Sequence, residues 1–260
     1  MNAAERNQYL EAIGIDVWVA RRGGVADVPA PAVAVPGPAV GAPGPAAEVA
    51  AVPARPAPPE APTAAALALT ADVGAEWEAL RSQVLACTKC SLHTSRTQGV
   101  FGVGSRKADW LVIGEAPGAE EDRRGEPFVG RAGQLLDAML KAIGLSRETN
   151  VYIANVLKSR PPSNRDPKPE EVAACLPYLM GQIRLLQPKL ILAVGRIAAQ
   201  NLLATDMPLG RLRGKVHHFG ELNTPLIVTY HPAYLLRTPA DKRKAWEDLK
   251  FARGLFRQLT

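Results

Sequence analysis

The sequence predicts an α/β fold: a three-layer α/β/α sandwich around a central, mostly parallel four-stranded sheet. Three observations predict it. Four short apolar runs, Trp110 to Ile113, Val151 to Ala154, Leu190 to Val194 and Leu226 to Tyr230, have the length and composition of strands buried on both faces. Helical patterns separate them, at about 132–143, 169–187 and 196–204, with a last one at about 240–258. Strand and helix alternating in this way imply βαβ units and hence a largely parallel sheet. Each apolar run is also followed at once by polar residues, as expected where ligands bind beyond the carboxyl ends of parallel strands.

Taken in order, residues 1–22 carry a compact apolar group, Tyr9, Leu10, Ile13, Ile15, Val17 and Trp18, too short to fold alone. Such a peptide either docks on its own folded domain or binds a protein partner. Residues 23–70 are an Ala/Pro-rich linker with no sustained period, and they hold many of the 23 prolines. The folded domain is expected over 71–260, opening with a helix in ADVGAEWEALRSQVLA that leads to Cys87 and Cys90. In the first strand's wake, Gly114, Glu115, Ala116, Pro117 and Gly118 form a turn, with Phe128 a few residues on. The second strand gives Asn155 and then KSRPPSNR, the third gives Gly195-Arg196, and the fourth gives His231 and PAYLLR. Pro177 is expected to kink or interrupt the helix at 169–187.

At 47% hydrophobic residues, the 260-residue chain can build a sizeable core. No signal peptide is visible, and no apolar run approaches the ~20 residues of a spanning helix. A cytoplasmic protein without membrane contact is therefore expected, and a monomer is the expected state. Three cysteines cannot all pair within the chain, and Cys87-x-x-Cys90 points to a metal or redox site more than to a secretory disulfide. Net charge +6 with pI near 9.4 fits a polyanion-binding protein, though a basic surface alone decides nothing. An amide, an imidazole, a Gly-Pro turn and a Phe converging at one sheet edge make a pocket for a flat polar ring.

Three motifs then become specific. GEAPGAEEDRRGEPFVGRAGQLL, YIANVLKSRPPSNR and HPAYLLR resemble those of family 4 uracil-DNA glycosylases, in the same order, over a region from about Cys87 to the C-terminus. The resemblance implies an enzyme that removes uracil from DNA, leaving an abasic site as the first step of base-excision repair. It implies that His231 hydrogen-bonds the uracil O2, aided by backbone N–H groups of the turn at Gly114, Glu115, Ala116 and Gly118. Asn155 would read the base edge, Phe128 would stack on the flipped base, and Leu235, in the loop after His231, resembles the wedge that fills the vacated stack. Glu115 and Asn164 are the candidates for positioning the attacking water, because Ala116 stands where some related glycosylases carry Asp. Arg160, Arg165, Arg211, Arg213, Lys215 and Arg237 are candidate phosphate contacts. Family members typically hold a [4Fe–4S] cluster on four cysteines. The matching positions here are Cys87, Cys90, Ser159 and Cys175, so the third ligand is a hydroxyl, harder and far less acidic than a thiol. Three outcomes stay open: an intact but labile cluster, a three-iron or open-site cluster, and no cluster with the cysteines packed as small apolar groups. Cys-x-x-Cys beside the family motifs favours some cluster, with zinc a lesser alternative. Ala116 and Ser159 also keep open a second function, a catalytically weakened nucleic-acid-binding relative.

Overall fold

A computed structural model describes residues 73–220 and 222–260. The apolar peptide at 1–22 and the linker at 23–70 lie outside the described residues. Helix α1 (Val73–Leu85) precedes the sheet. The strands are β1 (Val103–Gly104), β2 (Trp110–Gly114), β3 (Val151–Asn155), β4 (Leu190–Val194), β5 (His217–Phe219) and β6 (Thr224–Thr229). Between and after them stand α2 (Ala119–Arg124), α3 (Arg131–Ala142), α4 (Pro169–Leu186), α5 (Arg196–Leu203), α6 (Leu209–Leu212), α7 (Pro232–Arg237) and α8 (Lys242–Leu259).

The sheet has six strands in the order β1-β3-β2-β4-β6-β5, not four. The four expected strands form its parallel centre, β3-β2-β4-β6, and β1 and β5 close the two edges antiparallel. The edge strands escaped detection for a physical reason. They are two and three residues long and half exposed, so neither needs an apolar run.

Every residue of β2, β3 and β4 is buried, as both faces are covered. Alternation sorts them by face. Trp110, Val112, Ile153 and Leu192 meet Leu136 and Met139 of α3, Leu235 of α7 and Leu249 of α8. Leu111, Ile113, Ala154 and Ile191 meet Trp77 of α1, Leu179 and Ile183 of α4 and Ala199 of α5. Helix α4 begins at Pro169, where Glu171 accepts the Lys168 N–H at 2.9 Å, and runs unbroken through Pro177 to Leu186. The expected interruption at Pro177 does not occur: one missing backbone donor is outweighed by a helix face packed on the sheet.

From β2 the chain moves outward to β3 and then crosses back over β2 to β4. The reversal places a crevice at the carboxyl ends of β2 and β4, where the following helices leave on opposite faces. No helix among the described residues is long and apolar enough to cross a membrane.

Candidate active site

The site is built outward from Gly114, the last residue of β2. A Cβ there would stand 2.6 Å from the Phe128 ring and collide with Asn155 Oδ1, so only glycine lets the ring and the amide close over the strand end. Beyond it, Glu121 of α2 holds the turn to the Phe128 loop. One carboxylate oxygen accepts the Gly118 N–H at 3.1 Å, and the other accepts those of Val129 and Gly130 at 3.0 and 3.1 Å. The Gly118 N–H, one of those expected to reach a ligand, is thereby committed to Glu121.

Asn155 ends β3 and is 2% exposed. Its Oδ1 is buried with no hydrogen-bond partner, a costly state for an amide oxygen unless a ligand supplies the donor. His231 caps α7, and its Nδ1 accepts the Ala233 N–H at 3.1 Å. An acceptor Nδ1 puts the proton of the neutral ring on Nε2. Burial first, and the Arg237 cation second, push the imidazole down to about 4, against a smaller upward pull from Glu121, so the ring is neutral at pH 7. It stacks on Phe128, with centroids 5.6 Å apart and planes 30° from parallel.

These groups line a cavity of about 410 Å³, within the range of small-ligand pockets, together with Glu115, Asn164, Asp166 and Tyr234. Glu115 is raised to about 7, by burial first and the Asp166 carboxylate second, with Arg196 opposing. Asp166 in turn pairs with Arg196 at 2.7 Å. Asn164 Oδ1 already accepts from Arg160 Nε at 2.8 Å.

Most of the expected residues are therefore brought together: Glu115, Ala116, Gly118, Phe128, Asn155, Asn164 and His231 all line the cavity, as does Arg237, and Gly114 lies beneath it. Leu235 does not. HPAYLLR is helix α7 rather than a loop, and Leu235 is wholly buried against Leu135, Met139 and Leu249. Its neighbour Leu236, 37% exposed, is the apolar side chain at the surface. Two of the six cations are held by buried carboxylates. Arg165 is tied to the buried carboxylate of Glu171, and Arg213 to the buried Asp248 at 2.7 and 2.9 Å. The Arg213 guanidinium, 13% exposed, is not spare for a phosphate, whereas Arg165 still lines the cavity and Arg237, Arg211 and Lys215 are exposed. Glu121, Asp166 and Tyr234 were missed. Only Glu121 left a signal, as an acid three residues after Gly118 at capping-box spacing.

The residues at the expected cluster positions do not fit a four-thiolate site. Ser159, 3% exposed, accepts a hydrogen bond from Arg96 Nη1 at 2.8 Å. The same guanidinium donates to the carbonyls of Val84, Leu85 and Cys87, at 3.3, 2.7 and 3.0 Å. A donor-only group thus occupies the hydroxyl's surroundings, joining the segments a cluster would join. Cys175 packs with Leu92, Leu157 and Cys90, and burial raises its thiol. Among the described residues no group of three or more His, Cys, Asp or Glu is arranged to hold a metal.

Fold and site together define an open α/β/α sheet with a small-ligand cavity at its switch point, lined by a Phe, a neutral His and an amide. The family model described as the uracil DNA glycosylase superfamily matches residues 101–250. The chain belongs to that superfamily, and to its type-4 group. A type-4 uracil-DNA glycosylase of Archaeoglobus fulgidus is 46% identical over 174 residues, 65% of this chain and 87% of that protein. One from Thermotoga maritima is 40% identical over 185 residues, 70% of this chain and 95% of the other. A type-5 enzyme of Thermus thermophilus is 37% identical over 119 residues, 40% of this chain and 54% of its own length.

Proposed function

We propose that this chain hydrolyses the N-glycosidic bond of deoxyuridine in DNA, releasing uracil and leaving an abasic site. The observation that carries the reading is the buried, unpartnered Oδ1 of Asn155 facing a ring-sized cavity. Uracil N3–H supplies the donor that oxygen lacks, while the amide nitrogen donates to O4. Cytosine offers a bare N3 and an amino group, which leaves both amide groups facing their own kind. Phe128 stacks on the flipped base.

As the bond from C1′ to N1 breaks, its electron pair goes to the uracil ring and charge develops on O2. The Nε2–H of neutral His231 donates to that oxygen, stabilising the anion without giving up its proton. A water oxygen bonds C1′ and its proton passes to Glu115, the carboxylate whose raised affinity for protons suits it to act as base near neutrality. Glu115 is preferred to Asn164 because the Asn164 oxygen is engaged by Arg160. Arg237, Arg211 and Lys215 face phosphates, and Leu236 takes the wedge role first expected of Leu235. No step runs through an iron–sulfur cluster.

Incubating the protein with a uracil-containing oligonucleotide, then cleaving abasic sites with alkali, tests the reading. His231→Ala is expected to lower the single-turnover rate roughly 10²- to 10³-fold, the usual loss for one donor to a developing anion, with DNA binding retained. A near-normal rate in a folded variant removes His231 from the chemistry.

A further inference from the structure

We propose that Arg147 is a positioning residue for base stacking: it sets the Phe128 ring by gripping the two peptide groups on either side of it. The inference rests on the stacking role given to Phe128 above. Phe128 has a φ of +54°, the left-handed region that non-glycine residues rarely occupy, in a stretch with no turn glycine of its own at that position. Such a conformation persists only where its surroundings impose it.

Arg147 lies in the loop between α3 and β3, and its side chain is 14% exposed. Nη1 donates to the Pro127 carbonyl at 3.2 Å and Nη2 to the Phe128 carbonyl at 2.9 Å. Those two oxygens belong to the peptide groups that flank residue 128. Rotation about φ turns one peptide relative to the Phe128 side chain, and rotation about ψ turns the other. A rigid planar fork bonded to both therefore fixes both torsions at once, which a flexible ammonium cannot do. The fork is itself fixed, because Nε donates to Asp137 of α3 at 2.8 Å. The same helix completes the seat from below. Gly133 lies so close under Phe128 that an added Cβ would overlap the Phe128 carbonyl and stand 2.9 Å from its Cα. On the far side Glu121 holds the next two amides, but Glu121 lines the cavity, whereas Arg147 does not.

The test is a double-substitution cycle on the full-length protein, read as single-turnover uracil excision with thermal melting alongside. Arg147→Met in the otherwise native chain is expected to slow excision about 10- to 100-fold, the scale of a misplaced contact remote from the chemistry. In a Phe128→Ala background the same change is expected to cost nothing more, since the ring it positions is gone. Arg147→Lys, which keeps the charge and loses the fork, is expected to behave like Arg147→Met in both backgrounds. Should Arg147→Met fail to fold, the lysine variant carries the cycle. Equal losses in both backgrounds, or no loss in the native one, overturn the inference and leave the stacking role standing. A Phe128→Ala protein that excises uracil normally overturns the stacking role, and the inference with it.

Discussion

At the scale of single residues, the site is a set of polar groups each held in one state by what surrounds it. Glu115 and His231 are pushed in opposite directions on the proton scale, the carboxyl up to about 7 and the imidazole down to about 4, and burial is the first cause of both. Both shifts favour the uncharged form. For the reaction, Glu115 must be ionised to accept the water's proton, so excision is expected to rise with pH through an apparent pKa near 7. His231 stays neutral throughout that range and adds no second limb. Asp166→Asn removes the negative neighbour that helps hold the Glu115 proton, so the limb should move to lower pH, whereas Glu115→Gln should abolish it. A pH–rate profile of the three proteins checks this, and a limb that stays in place in Glu115→Gln assigns it to another group. For stability the His231 sign is fixed too. Its folded pKa lies below the unfolded value, so its contribution is present above about 6.5 and is lost as pH falls towards 4. The sequence made Glu115, Asn155 and His231 legible as residues ending strands. It could not show that Asn155 Oδ1 is orphaned or which His231 nitrogen is free, because both depend on partners brought in by the fold.

At the scale of elements, the parallel centre was legible because strands buried on both faces must be apolar throughout. The six residues after His231 were not. PAYLLR has too few positions to show a helical period, and as a loop it would offer Leu235 to solvent. As α7, capped by His231 with Pro232 in its first turn, it turns Leu235 into the core and leaves Leu236 outside. The two leucines should therefore separate cleanly. Leu235→Ala is expected to cost about 2–5 kcal/mol of stability, the range for a truncated core leucine. Leu236→Ala should leave the melting temperature unchanged and slow excision from duplex more than from single-stranded substrate, since only a duplex has a hole to fill. If Leu236→Ala is silent on both substrates while Leu235→Ala loses activity without losing stability, α7 has been assigned the wrong way round.

At the scale of the whole molecule, distant segments are tied together by buried polar groups. Arg96 joins the end of α1, the Cys87 turn and Ser159, while Asp248 of α8 accepts from Thr229 of β6 at 2.7 Å and from Arg213. The family resemblance at Cys87, Cys90 and Cys175 made a cluster the natural expectation. Only the fold reveals that an arginine already fills Ser159's surroundings. Wild-type protein prepared without oxygen is accordingly expected to carry well under one cluster's iron and little absorption near ~400 nm, with Ser159→Cys raising both. Stoichiometric iron in the wild type would contradict the fit drawn here.

The account's central claim is that the orphaned amide of Asn155 reads uracil, and one measurement meets it directly. Asn155→Asp exchanges the amide donor for an acceptor, so the full-length variant is assayed on matched oligonucleotides containing uracil or cytosine. The account predicts that uracil excision falls and that a trace of cytosine excision appears, because cytosine's amino group then finds the acceptor it lacked. A substrate profile identical to the wild type's would contradict it.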